Sequence, residues 1–392
     1  MKDFWQEPED KKLNKKKVIG VVIILLIILI FGILFFIYKN NRIVRVWVDK
    51  NIFQKEKVQN YLPSIEIEQI DNENIYAYYK YIGILNKNSF QIYDSTAKKV
   101  SSIQVEVSKP VFDSNNRYLV VGEKKGQKLY LIDDKDIKWE RNIDGNISEV
   151  TVNKNGYVAV TIVDTSYKTV VALYDPQGEQ LFNTYLSTTR VVATSISEDN
   201  KYLAIAEVDT SGTLVQSNIK IISIADGKND PANSIKKIYS ENNELVTNIK
   251  YQYKNRLLCM FTDKITEIKP YESEEVISEF KNKKIVFASV VMSNASVTVE
   301  EKSSGLFTAD SCINIVNSDN KYLISYTADS VSKEINTYDN VIALNLGSEV
   351  EFISSNGWLI KKYIAEQEIN TIVLSNSIAG IIYRDRIEII NL

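Results

Sequence analysis

Residues Ser195–Ser211 read SISEDNKYLAIAEVDTS, a polar turn set between two short apolar runs. The chain holds close copies of this phrase. Val111–Lys125 reads VFDSNNRYLVVGEKK, and Val150–Ser166 reads VTVNKNGYVAVTIVDTS. In each copy, β-branched and aromatic residues flank Asn, Asp, Ser or Gly, which bond their own backbone or tolerate left-handed geometry in tight turns. Each copy is therefore read as a β-hairpin, and a chain that repeats one hairpin is a repeat protein.

The period selects the architecture. Second strands are expected to start near Ile82, Tyr118, Tyr157, Tyr202, Leu257, Val297, Val341 and Ala379. The spacing is about 40 residues, the length of a four-stranded propeller blade, with one longer step from Tyr202 to Leu257. From about residue 64 onward no amphipathic pattern of period 3.6 interrupts the strands. The third unit shows all four strands, ISEVTVNKNG, YVAVTIVD, KTVVALYDP and GEQLFNTYL. Its DPQG at Asp175–Gly178 is a turn in which proline presets φ and glycine permits positive φ. The C-terminal INTIVLSNSIAGIIYRDRIEIINL supplies only three strands, and SIEIEQI at Ser64–Ile70 is the candidate for the fourth. The fold class is therefore all-β, an eight-bladed β-propeller closed by pairing its first strand with its last. Seven blades is the alternative. It would follow if NSDNKYLISYT at 317–327, assigned to a third-to-fourth-strand hairpin, were instead a first-to-second one.

YDPQGEQLF and KKGQKLYLIDDKDIKWE resemble the blades of quinoprotein-like and WD40-like propellers. The whole chain resembles an uncharacterised family of membrane-anchored propellers, a domain of unknown function, from low-GC Gram-positive bacteria. That resemblance implies fold and location and assigns no activity. The adjacent cysteine pair and metal-ligand cluster of quinone-cofactor dehydrogenases are not found in this sequence.

Ahead of the repeats, Val18–Tyr38 reads VIGVVIILLIILIFGILFFIY without a charge. Twenty-one residues at about 1.5 Å each match the roughly 30 Å hydrocarbon layer. Its bulky end, Phe35 to Tyr38, is a poor cleavage site, which favours a retained span over a signal peptide. Lys11, Lys12, Lys15, Lys16 and Lys17 precede it, against Lys39, Arg42 and Arg45 after it. The positive-inside rule then places the N-terminus in the cytoplasm and the propeller outside a bacterial cell membrane. The expected organisation is a tail at 1–17, the span at 18–38, a stem at 39–63 and the propeller at 64–392. Trp47, close behind the span, is expected at the membrane interface.

Several chemistries are disfavoured. The 392-residue chain has no histidine, which removes the commonest general base and metal ligand. A net charge of −3 offers no basic field for nucleic acid. The turns DSNNR, SEDNK and NSDNK lack calcium-loop spacing and read as hairpin turns. Cys259 and Cys312 lie in apolar runs of adjacent blades and read as buried thiols rather than a disulfide. Trp139 and Trp358 are expected in outer-strand positions, packed between blades. No cofactor, metal or catalytic residue is assigned.

Function is sought in the long connections, because insertions in repeat proteins gather on a binding face. Three of them join second to third strands and so share one face of the ring. They carry Asp164, Thr165, Ser166 and Tyr167, then Asp209, Thr210, Ser211, Thr213 and Leu214, then Phe307 and Thr308. Neutral drift in exposed loops is the competing account. A fourth long connection, ADGKNDPANS from Ala225, joins third to fourth strand on the opposite face. The leading expectation is a non-enzymatic, membrane-anchored platform that binds a protein partner in the cell envelope. The rivals are a small-molecule or glycan site, or an enzyme, in the central channel, and an envelope sensor.

Overall fold

The computed structural model describes residues 15–40, 44, 47–48, 52–53, 56–57, 62–68, 71–269, 274–305 and 308–392. The chain divides into two units, Met1–Lys57 and Val58–Leu392. In the first, Lys15–Asn40 forms one helix, and its Gly20–Tyr38 portion is long and apolar enough to cross a membrane. The span expected at 18–38 lies inside it. Trp5 and most of the expected stem lie outside the described residues.

The second unit is a ring of eight four-stranded antiparallel blades. Blade 1 runs from Ile75 to Gln104, blade 2 from Pro110 to Asn142, blade 3 from Asn146 to Leu186 and blade 4 from Arg190 to Asn242. Blade 5 spans Val246–Glu279, blade 6 Ile285–Ala328 and blade 7 Glu334–Ile364. Blade 8 takes three strands from Thr371–Asn391 and its outer strand from Ser64–Glu66. All eight second-strand markers fall in or directly beside second strands. The count of seven is excluded, because NSDNKYLISYT does join the third and fourth strands of blade 6.

The strand sequences follow from the layering. Third strands such as Thr169–Tyr174 are buried at every position, so they read as unbroken apolar runs. Outer strands such as Asp136–Asn142 alternate between buried and exposed. Each pair of neighbouring blades encloses one apolar layer. Phe90 meets Leu119 between blades 1 and 2, and Ile387 meets Ile82 between blades 8 and 1, which completes the circle. Trp139 is buried with its ring 6.1 Å from Tyr174 of blade 3, and Gly178 makes room for it. Gly178 has φ +79°, and a Cβ there would stand 2.8 Å from the Trp139 ring. The DPQG turn is otherwise set by Asp175, whose Oδ1 accepts the Gln177 and Glu179 N–H groups at 2.9 Å.

The layer between blades 5 and 6 is the thinnest, built on Leu258, Ile265, Phe280 and Val290. An ion network accompanies it. Arg256 donates to the Ser318 carbonyl at 2.6 Å and pairs with Asp319 at 3.0 Å. Lys321 pairs with the buried Glu267. The NSDNK turn thus staples blade 6 to blade 5. The DSNNR, SEDNK and NSDNK turns are hairpin turns, with positive φ at Asn116, Asn200 and Lys321. The long step between blades 4 and 5 has a structural cause. The connection from Ala225 is not plain loop but carries a short helix, Ile224–Asn229, capped by the Ser223 hydroxyl. Both cysteines are buried and free.

Candidate functional site

The second-to-third-strand connections define an upper face. In blade 3, Asp164 has φ +60° and its Oδ2 accepts Asn146 Nδ2 at 2.9 Å. Thr165 Oγ1 accepts the Tyr167 N–H at 3.1 Å and turns the loop back. This stands Tyr167 against Tyr185, with ring centroids 4.7 Å apart. In blade 4, Asp209 Oδ1 accepts both the N–H and the hydroxyl of Ser211, at 2.8 and 2.6 Å. Those bonds stabilise its anion and hold its carboxyl below the usual range. Thr210, Thr213 and Leu214 are exposed, as is Ser166 of the blade 3 loop. Lys168 is near enough to Asp209 to stabilise its charge, so the two loops are neighbours.

Leu214 is 60% exposed, and Val215, Leu245 and Tyr185 are exposed as well. Asn243 N donates to the Val215 carbonyl at 2.9 Å, which brings the Leu245 connection beside the blade 4 loop. The structure therefore gathers Tyr167, Tyr185, Leu214, Val215 and Leu245 on blades 3 and 4. Tyr185 and Leu245 were not singled out in the sequence, because their exposure depends on which face of the ring their strand ends reach. Thr308 stands apart. Blade 5 intervenes with only the short turn Thr262–Asp263, and Thr308 is engaged in its own turn through Ser304. Phe307 lies outside the described residues.

The second candidate is the central channel. A cavity of about 910 Å³ occupies its upper section, bordered by the inner strands of blades 2 to 5 and by Lys124 and Lys125. The inner strands of blades 3, 4, 5 and 6 each shift register at the same depth, at Ile147/Glu149, Val191/Ala193, Val246/Asn248 and Ile285/Phe287. Such bulges bend a strand and re-aim its side chains. Here they turn Glu149, Val192 and Asn248 to the cavity wall. Glu149 is exposed on the cavity wall yet ringed by protein, and the desolvation this causes pushes its carboxyl up to about 7. Among the described residues, no group of three or more Cys, Asp or Glu side chains is arranged to hold a metal ion.

One protein-family model matches residues 52–392, which takes in all eight blades. The chain belongs to that family, a family of unknown function (DUF5711). No curated protein matches the sequence. Among solved structures the chain is similar to the C-terminal WD40 domain of Sif2, with a TM-score of 0.56 and 11% identity over 85% of this chain and 99% of that one. It is similar to Chaetomium thermophilum Sqt1 bound to the N-terminus of the ribosomal protein L10, with a TM-score of 0.50 and 10% identity over 85% and 100%. It is also similar to the dihydro-heme d1 dehydrogenase NirN in complex with DHE, with a TM-score of 0.51 and 11% identity over 84% and 73%. At such identities the likeness shows the propeller fold, and one fold hosts unrelated functions.

Proposed function

We propose that this protein is a single-pass membrane protein whose propeller acts outside the cytoplasm as a protein-binding platform of the bacterial cell envelope, without enzymatic activity of its own. One observation carries the reading. Tyr167, Tyr185, Leu214, Val215 and Leu245 are left exposed together on the upper face of blades 3 and 4. Exposed apolar side chains gathered in one patch mark interaction sites, and tyrosine is enriched in them. The absence of histidine and the apolar helix at Lys15–Asn40 fit the same reading. Sqt1, a propeller of similar fold, was solved with a bound peptide segment.

The test places a photo-cross-linking amino acid at Leu214 in one strain and at Lys228, on the opposite face, in another. The expected result is one discrete adduct from Leu214 alone, lost when Tyr167 is changed to Asp. Equal labelling from both positions, or adducts indifferent to Tyr167→Asp, would sink the platform reading.

A further inference from the structure

The two ends of the channel use their polar groups differently. At the lower end, side chains join one blade to another. Asn116 N donates to Tyr338 Oη at 3.0 Å, a bond from blade 2 to blade 7, which are not neighbours in the ring. Lys154 pairs with Glu198 at 2.6 Å between blades 3 and 4. The Ser375 and Ser377 hydroxyls both donate to the Tyr79 carbonyl, at 2.8 and 3.0 Å, between blades 8 and 1. A smaller space of about 280 Å³ lies at this end and shares Lys250 and Val291 with the upper cavity. The lower end is therefore bridged by side chains but not sealed.

The upper section is the reverse. Lys109, Lys124, Lys125 and Lys250 border its cavity, and among the described residues none of the four closes an ion pair. The backbone holds the first three together. Lys124 N donates to the Lys109 carbonyl at 2.7 Å, and Lys125 N to the Ile147 carbonyl at 2.8 Å. Four carboxylates also line the cavity. Asp113 is committed to backbone, accepting Ser114 N and Val152 N, each at 2.9 Å. Asp71 and Glu73 sit on the blade 1 rim. Glu149 faces Lys124 and Asp113, and desolvation pushes its carboxyl up to about 7. Beside the lysines, Phe112 packs on Tyr76 with ring centroids 4.1 Å apart yet stays 45% exposed. A volume of this size suits a small molecule, since ligand cavities run from about 300 to 1,000 Å³.

We propose that the upper channel is a binding site for a small organic anion, a carboxylate or phosphate carried on an apolar body, with its charge held by Lys109, Lys124 and Lys125 and its body against Phe112. The larger cavity lies at the upper end, so ligand enters and leaves from that face. Deprotonation of Glu149 adds a negative charge beside the site, so binding weakens as pH rises. The other charged groups facing the cavity are Lys109, Lys124, Lys125, Lys250, Asp71, Glu73 and Asp113.

The experiment is calorimetric titration of the detergent-solubilised full chain with phenylacetate and, separately, phenyl phosphate. Saturable binding of either probe is expected, and the stronger one identifies the charge the site prefers. Lys124→Gln and Phe112→Ala, which remove a charge and an apolar contact respectively, should each weaken binding on the order of tenfold, about 1.4 kcal/mol. With phenylacetate, whose own charge is constant between pH 6 and pH 8, Glu149→Gln should remove the loss of affinity over that range. Leu214→Asp should leave the titration unchanged, which separates this site from the partner-binding face. A thermal melt confirms that each variant is folded. No saturable heat with either probe, or affinity unmoved by Lys124→Gln in a folded protein, overturns the proposal.

Discussion

The closing strand gives the sharpest energetic prediction. Ser64, Ile65 and Glu66 pair with Glu388, Ile387 and Arg386, and this three-residue ladder joins the first strand of the ring to its last. Two backbone bonds extend it, Ile67 N to the Asp385 carbonyl and Ile389 N to the Pro63 carbonyl, both at 2.9 Å. So short a ladder is weak alone. Its hold comes from Ile65 and Ile67, 5% and 8% exposed, which enter the layer between blades 8 and 1 with Ile82, Ile378 and Ile387. Ile65→Ala removes buried methyl and methylene groups and leaves a cavity, at a cost of about 2–5 kcal/mol. The ring unit holds 335 residues, so its unfolding entropy is about 0.7 kcal/mol/K and the expected fall in Tm is about 3–7 °C. Glu66→Ala, on the exposed side of the same strand, should shift Tm by less than about 1 °C. Differential scanning calorimetry on both variants decides the point. If Ile65→Ala melts with wild type, or if Glu66→Ala costs as much, closure does not rest on the apolar side of this strand.

Four further outcomes are expected. Gly178→Ala should destabilise by about 1–3 kcal/mol, because the residue adopts φ +79° and its new Cβ meets Trp139 at 2.8 Å; chemical denaturation measures it. Glu149 is raised to about 7 in the folded protein, so it stabilises fully below its unfolded value near 4.3 and that contribution is lost as pH rises to about 7. Stability profiles of wild type and Glu149→Gln should therefore diverge across that window, and parallel profiles would count against it. Arg256→Met leaves Glu267 buried beside Lys321 without its second cation and should cost about 3–5 kcal/mol by urea unfolding. Cys259 is wholly buried and burial raises its thiol pKa, so a thiol reagent should leave it unmodified until the ring unfolds.

The ring was legible in the sequence because each hairpin carries its own local chemistry. Asn153 accepts the N–H groups of Asn155 and Tyr157, Ser197 those of Lys201 and Tyr202, and Asp175 those of Gln177 and Glu179. One polar side chain thus sets each turn, and the same signature recurs along the chain. Closure was legible from strand counting, since blade 8 runs out of chain at its third strand. The short helix at Ile224–Asn229 was not, because six residues show too little periodicity to stand out from a loop. The channel was least legible. Lys109, Phe112, Lys124 and Glu149 are scattered through two blades and converge only because inner strands line the axis. The placement of Glu149 follows the bulge at Ile147/Glu149, and a register shift leaves no mark in composition. The upper loops stood between these cases. Their length was visible, but the ring separates Thr308 from the others by a whole blade.

The two candidate sites are mechanically joined, and this bears on how the propeller would work. Lys125 N is bonded to the Ile147 carbonyl, so the cavity rim is fixed to the first residues of blade 3. The residue before, Asn146, donates to Asp164 and so holds the loop that stands Tyr167 against Tyr185. Two bonds of 2.8 and 2.9 Å therefore lead from a lysine of the cavity to the exposed apolar patch. A ligand that draws Lys125 inward pulls on the same strand end that positions Asp164. Coupling between sites requires a difference in contacts between two states, and this bonded path is where such a difference would be transmitted. Asn146→Ala cuts the path and loosens the Asp164 loop. If cross-linking from Leu214 responds to phenyl phosphate in wild type, the response should vanish in Asn146→Ala while phenyl phosphate still binds. If the response survives the cut, the coupling runs elsewhere.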